Sequence, residues 1–182
     1  MNKVEINKTM KLSEHFTLGE LCKTSYHTSD GNIPSRVSIE NLKRLCMWLE
    51  MLRERYNKLY GDVRPGHTGD RPPCDIGDIT DGSVPIESSD IPIIINSGFR
   101  SEEVNMKCGG AKGSNHLTGC AVDIKCYGPE QMIRMAGILL DIADGTKREF
   151  DELIQEKRGS TYWIHFAVRP KDNRRKILFD CK

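Results

Sequence analysis

An aspartate stands inside an apolar run. Residues 119–126 read GCAVDIKC, with Asp123 between Val122 and Ile124. Small and β-branched residues in this order predict a strand that is buried on at least one face. A carboxylate taken out of water without a partner costs several kcal/mol at least, in the range of ~2–7 for polar groups and more for charges. A chain that folds with Asp123 inside must therefore bring a cation to it. His116 lies seven positions upstream, at the end of a Gly-rich loop, KCGGAKGSN (107–115), and a loop-to-strand turn of this length can bring the two side chains together. His165, in W-I-H, is a second histidine inside a strand pattern. Two imidazoles and a carboxylate are a common zinc set that leaves a fourth position for water. Histidines in strands are also commonly satisfied core or surface residues, so the spacing alone leaves both readings open.

The rest of the chain supplies a frame for that strand. Residues 38–60 are the strongest helix pattern. Ser38 is a candidate cap, and Ile39, Leu42, Leu45, Cys46, Leu49, Leu52 and Tyr56 recur at helical spacing. Residues 12–25 contain FTLGEL, a short amphipathic turn or helix. IPIIIN (91–96) predicts a buried strand, and Ser101 a cap for a short helix through Val104. Pro129 opens a second long helix through Met132, Met135, Ala136, Leu139 and Leu140. FDELIQE (150–156) and YWIHFAV (162–168) read as strands around KRGST, and RRKILF (174–179) as a last strand. Strands cluster late, with helices around them. The expected fold is one α+β domain over residues 1–182, with a small, mostly antiparallel sheet flanked by helices. Residues 61–90 break this pattern: five glycines and four prolines make an irregular insertion, in which His67 reads as a surface histidine.

Composition removes several functions. Lys and Arg total 27 against 26 acids, for a net charge of +1. There is thus no electrostatic case for nucleic acid or an anionic membrane as partner. No run of 18 apolar residues exists to span a bilayer. The Gly-rich loop fits neither GxxxxGK[ST] nor GxGxxG, which argues against nucleotide binding. The first 16 residues lack the apolar segment of a secretory signal. With seven cysteines and no CxxC, the thiols are expected to stay reduced and the chain to be cytoplasmic as synthesised.

Ser114, His116, Gly119, Ala121 and Asp123 form S-x-H-x-x-G-x-A-x-D, which resembles the signature of the M15 zinc D-Ala-D-Ala peptidases. INSGFRSEEVN (95–105), FDELIQE, the W-I-H at Trp163–His165 and FTLGEL resemble further segments of that family in the same order, the last in its phage-type branch. The resemblance spans about residues 12–170 and implies a hedgehog/DD-peptidase-like fold. It implies Zn2+ held by His116, Asp123 and His165, and a substrate among peptidoglycan stem peptides or cross-links. Arg100 would polarise the scissile carbonyl or hold substrate, and Ser114 would bind the substrate carboxylate or cap a turn. Some relatives carry an acid three residues before the last histidine, where this chain has Tyr162. The nearby acids are Asp151, Glu152 and Glu156. Glu156, at the end of the partner strand, is the expected general base, provided the hairpin register puts it on the face of His165. The expected protein is a monomeric carboxypeptidase or endopeptidase, such as a phage or prophage lysin that reaches the wall on release. The alternative is a non-catalytic zinc-fold module that binds wall peptide, for example a virion component; an acid near the zinc site discriminates the two.

Overall fold

A computed structural model describes residues 7–61 and 90–181. The irregular insertion expected at about 61–90 falls almost wholly outside the described residues, as does His67.

Five strands form one sheet. They are β1 (Ile95–Ser97), β2 (Ala121–Cys126), β3 (Glu152–Arg158), β4 (Thr161–Ala167) and β5 (Lys176–Cys181), in the spatial order β1-β2-β4-β3-β5. β1–β2, β2–β4 and β3–β4 are antiparallel, while β5 runs parallel to β3. The expected α+β class and mostly antiparallel sheet are therefore present, with one parallel edge.

The helices are α1 (Leu18–Leu21), α2 (Arg36–Tyr60), α3 (Glu102–Lys107) and α4 (Pro129–Thr146). α2 starts earlier than its apolar pattern. Its cap is Ser35, whose Oγ accepts from Ser38 N at 3.1 Å, and Ser38 itself lies buried in the first turn. In FTLGEL, Thr17 and Glu20 form a reciprocal capping box around α1. Ser101 caps α3 and Pro129 opens α4, as the sequence predicts.

The IPIIIN segment is corrected. Only Ile95–Ser97 is strand, at the sheet edge, with Asn96 exposed. Pro92 has no N–H to give to a ladder. Ile91 is instead pinned to the end of α2, where Asn57 bonds both its N–H (2.7 Å) and its carbonyl (3.1 Å).

Strand alternation divides the sheet chemically. Val122, Ile124, Leu153, Ile164 and Phe166 share one buried cluster with Leu42, Leu45, Trp48, Leu49 and Leu52 of α2 and Met132, Met135, Leu139 and Ile142 of α4. Trp48 meets Phe166 edge to face at 5.2 Å. The opposite face carries Asp123, Trp163, His165, Glu152 and Glu156, which is where polar chemistry is left available.

Candidate metal centre

β2 and β4 put Asp123 directly opposite His165. Directly opposed residues of an antiparallel pair share a face, so the ladder itself brings carboxylate and imidazole together. His116 comes from a 3₁₀ turn, Asn115–Thr118, that leads into β2. Ser114 caps this turn, its Oγ accepting from His116 N at 3.3 Å. Gly119 ends it with φ 70°, and a Cβ there would lie 2.6 Å from Ser38 O. The glycine of the S-x-H-x-x-G pattern is thus required twice, by its backbone angle and by the closeness of α2.

The donors converge. His116 Nε2 is 3.2 Å from Asp123 Oδ1 and 3.2 Å from His165 Nδ1, and His165 Nδ1 is 3.0 Å from Asp123 Oδ1. Each of the three residues offers one ligand atom, and these atoms lie within 4.8 Å of one another. His116 is 2% exposed and Asp123 8%. Each donor also has an outer partner that aims it. His116 Nδ1–H donates to Gly98 O at 2.6 Å, which leaves Nε2 bare. Gly98 passes against α1, where a Cβ would meet Leu21 O at 2.3 Å. Asp123 Oδ2 accepts from Arg100, whose Nε also donates to Ser97 Oγ at 2.7 Å. His165 Nε2 stands 3.5 Å from Glu152 Oε2. Bare ligand atoms facing inward, with partners fixing the other side of each group, are a set that could hold a metal ion.

The electrostatics agree. Burial lowers the pKa of His116, which keeps it neutral. Burial works against ionised Asp123, but the His116 and His165 imidazoles override it and hold the carboxyl well below its usual range. Burial also opposes a charged His165, yet its hydrogen bonds to Asp123 and Glu152 raise it to about 9. When no metal takes that place, an imidazolium at His165 joins the Arg100 guanidinium in balancing this carboxylate.

The acids separate by register. Ile154 lies opposite His165, so Glu152 and Glu156 flank it diagonally on the same face. Glu156 is half-buried. Burial raises its pKa first, then the charge of Asp123, against the charge of His165 and, less, a hydrogen bond from Trp163. Glu152 is drawn down to about 2, chiefly by its hydrogen bond with His165. Asp151 is 0% exposed and belongs to the frame: Arg174 holds it through Nε (2.8 Å) and Nη2 (2.6 Å), and Asn115 donates at 2.8 Å. Tyr162 packs against the core on the helix side of β4. It lies three positions from His165, an odd offset, so a regular strand turns the two to opposite faces.

Sequence reasoning missed Asn115, Arg174 and the Gly98 carbonyl. A carbonyl leaves no mark in sequence. Asn115 and Arg174 act through contacts between residues 36 or more and 23 apart, which local patterns do not carry.

Residues 86–152 match the family model Peptidase M15. The matched stretch contains Arg100, Ser114, His116, Asp123 and Glu152 and stops short of Glu156 and His165. It is less than half of the chain, and it supports a hydrolase of the peptidase class. No curated protein matches the chain.

Proposed function

We propose that this chain is a zinc metallopeptidase that hydrolyses D-Ala-containing amide bonds in peptidoglycan stem peptides or cross-links, on a hedgehog/DD-peptidase-like fold. The observation that carries the reading is the convergence of His116 Nε2, Asp123 Oδ1 and His165 Nδ1, each backed by its own outer partner. The substrate class rests on the resemblance of five sequence segments, and the reaction class on the match to Peptidase M15.

His116, Asp123 and His165 would hold the ion. When bound, zinc supplies Lewis-acid chemistry, activating a water near neutral pH and polarising an amide carbonyl. Glu156 takes the proton of the attacking water and returns it to the leaving amine. A carboxyl raised by burial suits a group that must both accept and donate near neutral pH. Arg100, anchored on Asp123 and Ser97, keeps a permanent positive charge beside the reacting group and favours a developing oxyanion or a substrate carboxylate. Ser114 contributes by capping the turn that carries His116.

A half-buried acid on the face of His165 favours catalysis over a non-catalytic module. The test is digestion of purified peptidoglycan and of stem peptides ending in D-Ala, with mass analysis of the products. Loss of one D-Ala marks a carboxypeptidase, and a cut inside the cross-link marks an endopeptidase. Full-length peptides bound but uncut across the panel would instead support the binding module.

A further inference from the structure

His165 is the candidate ligand with the most to lose from a free ring. It sits on a strand, its two nitrogens are distinct, and only one orientation turns Nδ1 toward Asp123 and His116. The other nitrogen faces Glu152 Oε2 at 3.5 Å. Glu152 is itself held on both oxygens. Oε2 accepts from Asn115 Nδ2 at 3.1 Å, and Oε1 lies 3.0 Å from Arg174 Nη2 and 3.4 Å from Lys176 Nζ. Arg174 is locked in turn by two bonds to buried Asp151. A chain of fixed groups thus runs from the segment leading into β5, through Glu152, to His165.

We propose that Glu152 is a positioning residue of the metal centre: it accepts the Nε2–H of His165, so that Nδ1 stays bare and aimed at the ion. The proposal rests on the metal reading given above. It separates the two acids that flank His165. Glu152 has both oxygens engaged by cations and an amide and serves the ligand. Glu156, across Ile154 on the same face, is left to serve the substrate. It also gives the 174–176 segment, outside both the sequence resemblance and the family match, a role in metal affinity.

Zinc dissociation constants, measured by competition with a chromophoric chelator, test this on Glu152→Ala and Glu152→Gln. The melting temperature of each metal-free form is read in parallel. Partners of metal-ligating histidines typically contribute about 10–100-fold in affinity, so Glu152→Ala should weaken zinc by that factor. Glu152→Gln keeps an oxygen that accepts from Nε2–H and should bind zinc close to wild type. Both variants lose the same ion pairs to Arg174 and Lys176, so their metal-free melting temperatures should fall together. A Gln variant as weak as the Ala variant would overturn the proposal, because charge and packing would then be the cause. An Ala variant that binds like wild type would also overturn it, with the metal reading intact. A wild type that binds no zinc would remove the metal reading itself.

Discussion

Two carboxylates flank His165 on one face, and their surroundings drive them apart. Glu152, engaged by His165, Asn115, Arg174 and Lys176, stays ionised down to about pH 2, whereas burial raises Glu156. Groups pushed apart in this way take different roles. Glu156→Gln should therefore keep fold and zinc and lose about 10²–10⁴-fold in kcat/KM. Glu152→Gln should retain most activity. The check is cleavage of a stem peptide with zinc content measured on the same samples; a dead Glu152→Gln with full zinc beside an active Glu156→Gln would reverse the assignment. His165 makes a second prediction. Its pKa is raised to about 9 without metal, so at pH 7 a metal must displace a proton. Apparent zinc affinity should rise about tenfold per pH unit between roughly 7 and 9 and flatten above, since below the raised pKa each unit makes the proton tenfold easier to remove. Calorimetry at pH 7 in buffers of different ionisation enthalpy should count about one proton released per zinc; a pH-independent affinity with no proton released would contradict this.

At the scale of elements, strand alternation decides which acids are available. Tyr162 occupies the place from which some relatives supply an acid, but on β4 it turns to the helix face. Glu156→Gln combined with Tyr162→Glu should thus recover no activity and should melt lower than Glu156→Gln alone, because a carboxylate would enter an apolar contact. Recovery of even a tenth of wild-type activity would show that β4 departs from this register. The same alternation explains what could be read beforehand. α2 and α4 announced themselves because a helix repeats its apolar face over many residues, and Asp123 announced the site because a charge in an apolar strand has few explanations. Other features depended on contacts between distant segments. The face of Glu156 follows from the hairpin register, set by a tight turn with Gly159 at φ 56°. The parallel pairing of β5 follows from where the chain returns after Ala167. β1 shrank because the helix end claims Ile91, and the cap of α2 moved to Ser35, which only the first turn's geometry distinguishes from Ser38.

Across the whole molecule, an apolar face packed on α2 and α4 supports a polar face that carries the site. No helix among the described residues is long and apolar enough to cross a membrane. Burial raises the thiols of Cys22, Cys46 and Cys126 to about 12, so these react poorly as nucleophiles. Thiol titration of the unfolded, unreduced protein should find all seven cysteines free; five would indicate one disulfide. The account as a whole stands on the metal. The direct measurement is the zinc content of purified protein after equilibration with excess zinc and removal of the unbound ion, for wild type and for His116→Ala, Asp123→Ala and His165→Ala. The account predicts about one zinc per wild-type chain, raising the melting temperature, and a strong loss in each variant, since each removes one of the three donors found among the described residues. A wild type without zinc, or three variants that retain it in full, would contradict the assignment of His116, Asp123 and His165 as its ligands.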